Sequence, residues 1–166
     1  KKGYEVHALT SNKNSSTILK KLGAKEVIPL DKFMKNSKFP LLKKQYSGII
    51  DSLGGEVLSM ASGQVNDNGI ISVIGIISSN KSTLSLLPFV LRGVHFVGIN
   101  AESINNIKRK KIWEMIVGLK DNILPELLYN ECTLKDVKEC FYKIKGNKHF
   151  GRTIVKIAEI EKKQDE

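Results

Sequence analysis

The sequence has few of the residues that would mark a secreted, membrane-spanning or metal-bound protein. Among its 166 residues there are two cysteines, Cys132 and Cys140. They form no CxxC motif and have no histidine at ligand spacing, so they predict neither a disulfide framework nor a zinc site, and they favour a reducing, cytoplasmic setting. No apolar run approaches the length of a membrane span, so we expect no membrane partner. The first residues include two lysines but no hydrophobic segment typical of a signal peptide.

Acidic residues are scarce relative to basic ones, since 17 aspartates and glutamates face 27 lysines and arginines and leave a net charge of +10. This excess favours anionic partners such as nucleotide phosphates, nucleic acid or acidic metabolites. The basic run at 108–111 has no interleaved aromatic residues and begins an amphipathic helix, so we interpret it as a solvated helix face rather than a nucleic-acid site. The three histidines are scattered without a triad-like arrangement, and hydrolase chemistry has no support.

Strand and helix signals alternate along the chain, and 41% of its residues are hydrophobic, enough for a domain with a real core. We predict strands over 4–9, 26–28, 48–53, 70–74, 94–99 and 151–157, and helices over 18–22, 56–62, 112–119 and 134–144. Residues 67–69 predict a turn, and 133–136 resemble a helix-starting cap. Alternating strands and helices with glycine at strand ends predict an α/β fold built on a Rossmann-type doubly wound parallel sheet.

The strand at 4–9 occupies the place of the second strand of such a sheet, where a side chain at the strand end reads the adenosine ribose. The first strand and its glycine-rich phosphate loop are expected upstream of it and are absent from the sequence. In the strand order 3-2-1-4-5-6, that first strand lies between the strands at 4–9 and 48–53. The sequence therefore predicts the C-terminal portion of a longer enzyme.

The polar segment Thr10-Ser11-Asn12-Lys13 follows this strand and is the first candidate site. An acidic residue there would accept from the 2′-hydroxyl of NAD, whereas a basic one would pair with the 2′-phosphate of NADP. No acid occupies positions 10–16, and Lys13 supplies a cation. The alternative is a polar loop that caps the following helix, and the segment alone does not decide between the two.

Glycines at strand ends form the second candidate site. Gly54-Gly55 and Gly75 follow two buried strands, where a missing Cβ lets the backbone approach a flat ligand. In a doubly wound sheet those strand ends form the ligand crevice. Asp51 lies on the strand before the first pair, and we interpret it as a structural hydrogen-bond acceptor rather than a catalytic base.

Several longer segments carry a family resemblance. They are Gly-Tyr-Glu-Val at 3–6, Leu-Lys-Lys-Leu-Gly-Ala-Lys-Glu-Val-Ile at 19–28, Gly-Ile-Ile-Asp-Ser-Leu-Gly-Gly at 48–55, Pro-Phe-Val-Leu-Arg-Gly-Val at 88–94, Gly-Ile-Asn at 98–100 and Gly-Arg-Thr-Ile-Val at 151–155. Together they resemble the C-terminal half of a medium-chain dehydrogenase/reductase. The closer resemblance is to YhdH/YhfP-type quinone oxidoreductases, which include acrylyl-CoA reductases.

The resemblance implies a zinc-free, NADPH-dependent reductase that acts on a quinone or an activated carbon–carbon double bond and forms a homodimer. It implies that Lys13, with Ser11 and Asn12, holds the 2′-phosphate beside Thr10. It also implies that Gly54, Gly75-Ile76 and Gly98-Ile99-Asn100 lie along the path of the cofactor. Catalytic residues are not assigned, and the segment alone is expected to be inactive.

The same resemblance divides the chain into three parts. Residues 1–128 would form a partial NADP-binding domain, residues 129–157 a helix and strand that pack on a catalytic domain encoded upstream, and residues 158–166 a flexible tail. Two other functions stay open. The chain could be a non-catalytic remnant that associates through the strand near 94–100, or a small basic α/β protein that binds nucleic acid.

Overall fold

The computed structural model describes residues 3–35, 39–118, 129–146 and 149–157. Strands and helices alternate through most of this range. The strands are β1 His7–Thr10, β2 Glu26–Pro29, β3 Tyr46–Asp51, β4 Val65–Val73, β5 His95–Gly98, β6 Tyr129–Thr133 and β7 Arg152–Lys156. The helices are a 3-10 turn at Lys13–Ser15, α1 Ser16–Lys21, α2 Leu30–Met34, α3 Gly55–Ser62, α4 Leu87–Arg92, α5 Asn106–Val117 and α6 Val137–Lys145. Leu119, the predicted boundary at 128 and the predicted tail 158–166 lie outside the described residues.

The chain divides into two compact units, which are Asp31–Ile116 and the pair of segments Lys1–Leu30 and Val117–Glu166. We refer to them as the central unit and the terminal unit. Every strand pair in both units is parallel, and the strand orders are β1-β2, β3-β4-β5 and β6-β7. Because parallel pairs require crossover connections, this arrangement confirms the predicted α/β class.

The hydrophobic core of the central unit lies around β4. Val65 and Ile71 of this strand are fully buried, and Leu58 of α3 and Val94 before β5 pack against them. The predicted apolar run at 70–74 therefore lies in the middle strand of this sheet, where Ile71 is buried while Ile70 and Ile74 are 43% and 53% exposed. Phe89 of α4 packs on the same cluster from its edge.

The predicted turn at 67–69 is wrong as a boundary between elements. The strand β4 runs through it, and the register slips from Tyr46 opposite Val65 to Gly48 opposite Ile70. Asn68 takes the positive φ of 55° that Asn tolerates better than most residues. Residues 67–69 thus do favour a turn-like backbone, but they produce an irregularity inside β4 and do not end the strand.

The side chain of Arg92 stabilises the sheet at the amino ends of its strands. Its guanidinium donates to the carbonyl oxygens of Gly63 at 2.9 Å, Val65 at 3.0 Å and Leu42 at 2.7 Å. Gly63 follows α3 and Val65 begins β4, so one side chain from α4 joins three segments. The Pro-Phe-Val-Leu-Arg-Gly segment therefore has a structural reason for its arginine, since the planar fork reaches several acceptors at once.

The terminal unit differs from expectation at two places. β1 spans His7–Thr10 rather than the predicted 4–9. Thr10 is therefore the last residue of the strand and not the first residue after it. The strand β6 at 129–133 was not predicted, because its sequence Tyr-Asn-Glu-Cys-Thr alternates weakly between apolar and polar residues. Thr133 consequently ends a strand, and the N-cap of α6 is Asp136. Of the apolar stripe predicted for the helix at 134–144, Val137, Phe141 and Ile144 lie on α6 and Leu134 lies before it, and all four side chains are exposed.

Strands β1 and β3 belong to different sheets. Within the described parts of the chain, β1 pairs with β2 alone and β3 with β4 alone, so each keeps one edge without a strand partner.

Candidate functional site

Two loops run side by side at the carboxyl ends of β3 and β4. Ser52 O accepts from the backbone N–H of Ile77 at 3.0 Å, and Leu53 O accepts from the N–H groups of Ser78 at 2.8 Å and Ser79 at 3.2 Å. Beyond them Gly54 and Ser79 form an isolated parallel bridge. These bonds hold the first residues after each strand as one backbone platform.

The glycines are required by the contact between the two loops. Gly54 has φ 69° and ψ −158°, a region that only glycine occupies readily. A Cβ on Gly54 would lie 2.3 Å from Ser79 O, and one on Gly75 would lie 2.9 Å from Ser52 O. From the sequence, we expect glycine at these positions because a ligand approaches the backbone. The structure adds a second reason, which is the close passage of one protein backbone past another.

Asp51 fixes the position of Gly54. Its side chain is buried, with 6% of its surface exposed, and Oδ2 accepts from the backbone N–H of Gly54 at 2.9 Å. The predicted role of Asp51 as a structural acceptor is therefore confirmed. Helix α3 begins at the next residue, Gly55, and its first turn contains Glu56. The loop thus leads straight into a helix whose N-terminal N–H groups face the same edge of the sheet.

The segment 98–100 reaches this edge from β5. Gly98 pairs with Val73 in the sheet, and a Cβ added to Gly98 would meet nothing within 4 Å. The N–H of Ile99 donates to Val73 O at 2.9 Å, which extends the sheet by one residue. The side chain of Asn100 bonds to Ser103, accepting from its N–H at 3.2 Å and donating to its Oγ at 3.0 Å.

The structure therefore brings one set of predicted residues together. They share the carboxyl edge of the β3-β4-β5 sheet, and they are Gly54, Gly75, Ile76, Gly98, Ile99 and Asn100. Ile76 is 61% exposed, so an apolar side chain lies open at this edge. Ser78 and Ser79 belong to the same surface and were missed. In the sequence, the only indication of these two serines was that a polar loop follows a buried strand.

The other predicted residues lie at the carboxyl end of β1, in the terminal unit. Thr10 Oγ1 accepts from the N–H of Asn12 at 3.1 Å and contacts Ser15 Oγ at 3.1 Å. Asn12 Oδ1 accepts from the N–H of Asn14 at 3.0 Å, and Ser15 Oγ donates to Asn12 O at 2.7 Å. Asn12 is thus the N-cap of the 3-10 turn that leads into α1, whereas α1 itself has Ser15 at its N-cap, without a side-chain cap hydrogen bond.

Ser11 and Lys13 flank that cap. Ser11 is exposed, and Lys13 is the first residue of the 3-10 turn. The buried Ser15, with 2% of its surface exposed, holds the turn against β1 from inside. The turn that is anchored in this way lies at the carboxyl end of β1, and in Rossmann-type sheets a nucleotide ribose binds at such a strand end.

The ion pairs of Glu5 in the terminal unit lie at the start of β1, whereas Thr10 ends this strand. Glu5, before β1, bonds to Lys25 and lies 3.1 Å from His7 Nε2, and these contacts hold the pKa of its carboxyl below the usual range.

Among the described residues there is no cluster of three histidine, cysteine, aspartate or glutamate side chains that could hold a metal ion. None of the described helices is both long and apolar enough to cross a membrane.

The family of the chain follows from a match that spans its first 117 residues. A family model described as zinc-binding dehydrogenase matches residues 1–117, which is more than half of the chain. The chain belongs to the zinc-binding dehydrogenase family. This membership agrees with parallel strands whose carboxyl ends carry glycine-dependent loops.

Relatives of this dehydrogenase-family chain include two curated bacterial proteins. YhfP of Bacillus subtilis (strain 168), provisionally named as a quinone oxidoreductase, is 32% identical over 158 residues. AcuI of Escherichia coli (strain K12), provisionally named as an acrylyl-CoA reductase, is 30% identical over 161 residues. Each alignment covers 95% of this chain and 48% of the relative. The chain thus spans about half the length of the curated relatives it matches.

Solved structures of related proteins share the fold. Escherichia coli K-12 YhdH with bound NADPH has a TM-score of 0.83 and 28% identity over 94% of this chain and 48% of its own. Bacillus subtilis YhfP with bound NAD has a TM-score of 0.80 and 29% identity over 93% of this chain and 47% of its own. These likenesses confirm the resemblance seen in the sequence and the Rossmann-type fold.

Proposed function

We propose that this chain is the cofactor-binding portion of a zinc-independent oxidoreductase that uses NADPH to reduce a quinone or an activated carbon–carbon double bond of the acrylyl-CoA kind. The observation that carries the proposal is the glycine-dependent backbone platform at the carboxyl edge of β3, β4 and β5, in a chain of this family. In open α/β sheets, ligands bind outside the carboxyl ends of the strands. When bound, NADPH supplies the hydride that reduces the acceptor.

The central unit offers a surface that suits a flat, extended ligand. Gly98 leaves open space where a side chain would stand, and Ile76 presents an exposed apolar group for a ring to pack on. Gly54 and Gly75 have no side chain that would keep a ligand away from the backbone at these positions. Asn100 contributes through its backbone and its place at the strand end, because its amide already bonds to Ser103.

The terminal unit supplies the proposed preference for NADPH. An ammonium group from Lys13, with the hydroxyl of Ser11, would hold the 2′-phosphate, while Thr10 and Asn12 set the turn that carries them. Positions 10–16 contain no carboxylate that could bind the 2′-hydroxyl of NAD or repel a phosphate. YhdH with NADPH and YhfP with NAD show that both cofactors occur among related structures.

The proposed preference is tested by titrating the chain with NADPH and NADH and following nucleotide fluorescence. We expect NADPH to bind more tightly, and Lys13→Ala to weaken NADPH by about tenfold or more with little effect on NADH, as for one charge-assisted contact. Lys21→Ala is the matched control, since it removes one positive charge from the end of α1. Equal losses for both cofactors in Lys13→Ala would refute the phosphate role.

Turnover and zinc need separate tests. We expect the chain to bind NADPH without oxidising it in the presence of a benzoquinone or acrylyl-CoA, because it spans only about half the length of its curated relatives. NADPH oxidation by the chain alone would contradict this.

We also expect a chelator to leave NADPH binding unchanged, whereas binding that disappears on chelation and returns with zinc would contradict zinc independence.

A homodimer is proposed through β5. This strand is at the edge of its sheet, all four of its residues are exposed, and Phe96 and Val97 are 44% and 37% exposed. An exposed edge strand with apolar side chains favours pairing with a second copy. Light scattering should give twice the chain mass, and Val97→Lys should restore the single-chain mass. A wild-type chain that stays monomeric at high concentration would contradict the proposal.

A further inference from the structure

Ser15 is a buried polar residue beside the segment 10–13, and it is not among the site residues predicted from the sequence. Only 2% of its surface is exposed. Its hydroxyl bonds to Asn12 O at 2.7 Å and to Thr10 Oγ1 at 3.1 Å, and its backbone N–H donates to Asn12 O at 3.1 Å. A buried hydroxyl with two hydrogen-bond partners rigidifies the groups that it joins.

The direction of each hydrogen bond in this network follows from the protons available. Asn12 O can only accept, so the single proton of the Ser15 hydroxyl is used in that bond. The Thr10 hydroxyl must therefore donate to Ser15 Oγ, while its oxygen accepts from the N–H of Asn12 at 3.1 Å. The result is a closed chain of hydrogen bonds that begins at the N–H of Asn12 and returns to the carbonyl of the same residue.

This chain fixes both peptide groups of Asn12. The N–H of Asn12 belongs to the peptide that joins it to Ser11, and its carbonyl belongs to the peptide that joins it to Lys13. Because a peptide group is planar, it cannot rotate without breaking the hydrogen bond that it makes. The backbone directions of Ser11 and Lys13, the two residues proposed to hold the 2′-phosphate, therefore depend on the hydroxyls of Thr10 and Ser15.

We propose that Ser15 is a positioning residue that sets the preference of the chain for NADPH over NADH, an inference that rests on the proposed role of Lys13. Ser15 is buried and acts through Asn12 rather than by contact with the nucleotide. Without its hydroxyl, the backbone at 11–13 would take several orientations, and ordering it around a phosphate would cost binding free energy. NADH has a hydroxyl in place of that phosphate, so its binding would lose little.

The proposal is tested by titrating Ser15→Ala with NADPH and with NADH and following nucleotide fluorescence. We expect the preference for NADPH, measured as the ratio of the two dissociation constants, to fall about fivefold, as for one lost hydrogen bond between neutral groups. An unchanged preference in Ser15→Ala would overturn the proposal.

Ser62→Ala is the matched control. Ser62 ends α3 in the central unit, is 1% exposed, and donates through Oγ to the carbonyl oxygen three residues earlier, Ser59 O, at the same distance of 2.7 Å. Ser62→Ala should therefore cost a comparable amount of stability in urea unfolding but leave the preference for NADPH unchanged. An equal fall of the preference in Ser15→Ala and Ser62→Ala would overturn the proposal, because both falls would then reflect stability alone.

A double-mutant cycle separates this proposal from the role of Lys13. In the Lys13→Ala background the phosphate contact is already lost, so we expect Ser15→Ala to change the preference by less than about twofold further. The full fivefold fall in both backgrounds would overturn the role of Ser15 while leaving that of Lys13 intact. If instead Lys13→Ala weakens NADPH and NADH equally, the proposed phosphate contact fails, and the role of Ser15 fails with it.

A second variant and a measurement without nucleotide cover the case in which Ser15→Ala does not fold. Thr10→Val breaks the same chain at its other hydroxyl, keeps a β-branched side chain in β1, and should lower the preference by a similar factor. In the nucleotide-free chain, amide hydrogen exchange at Asn12 should be at least about fivefold faster in either variant than in wild type. Exchange at the wild-type rate in the folded variants would overturn the proposal.

Discussion

Replacing Gly54 with alanine should destabilise the central unit, because the structure leaves no room for a methyl group there. The residue has φ 69° and ψ −158°, and such a conformation costs a non-glycine residue about 1–3 kcal/mol. The new Cβ would also lie 2.3 Å from Ser79 O, a backbone atom that cannot rotate away. Loss of the bridge between the two loops adds to the cost, and we expect Gly54→Ala to lower the free energy of unfolding by at least ~3 kcal/mol.

Gly98→Ala is the matched control for this substitution. It adds the same methyl group at the same edge of the sheet, but where nothing lies within 4 Å and where φ is not positive. We expect a change in stability within about 0.5 kcal/mol, as for an exposed position, together with weaker NADPH binding if the cofactor passes over Gly98. Urea unfolding followed by circular dichroism measures the first quantity. Equal unfolding midpoints for Gly54→Ala and wild type would refute the reasoning.

Three further predictions concern the supports of the fold. Arg92→Met should lower the free energy of unfolding by about 2–4 kcal/mol, since three carbonyl acceptors lose their donor, while Arg92→Lys should recover part of it; urea unfolding tests both. Asp51→Ala should weaken NADPH binding more than Asp51→Asn, which keeps an acceptor for Gly54 N–H, and titration of the two variants decides this. Glu5→Gln should reduce the acid sensitivity of unfolding: the depressed pKa of Glu5 stabilises the fold above the unfolded-state pKa of about 4.3, and this contribution is lost as the pH falls through the folded-state pKa. Acid titrations that coincide for Glu5→Gln and wild type would contradict it.

Elements with strong local signals could be predicted from the sequence. The apolar run before Gly75 indicated the central strand, and the hydrophobic spacing before Gly23 indicated α1, which ends just before a glycine of φ 102°. The candidate glycines were also found, because glycine at the end of a buried strand is typical of a tight turn or a close approach of the backbone. These features depend on residues that are close in sequence.

What could not be predicted depends on contacts between distant segments. The strand β6 forms because it pairs with β7, some twenty residues away, and its own sequence has little β pattern. The positive φ of Asn68 occurs inside a strand where the register of β4 against β3 shifts, between Val65 opposite Tyr46 and Ile70 opposite Gly48. Likewise, the passage of Ser79 over Gly54 follows from the alignment of two loops, which no local pattern shows.

The central claim is that this chain binds a nicotinamide dinucleotide, with the residues at the carboxyl edge of β3, β4 and β5 as contacts in the central unit and those at the end of β1 as contacts in the terminal unit. Amide chemical shifts of the isotope-labelled chain during titration with NADPH test it most directly. The account predicts saturable shifts at 10–13, 54, 75–76 and 98–100, with NADH reproducing all of them except those at 10–13. Shifts confined to the basic run at 108–111, or absent from the glycines at saturating NADPH, would contradict the account.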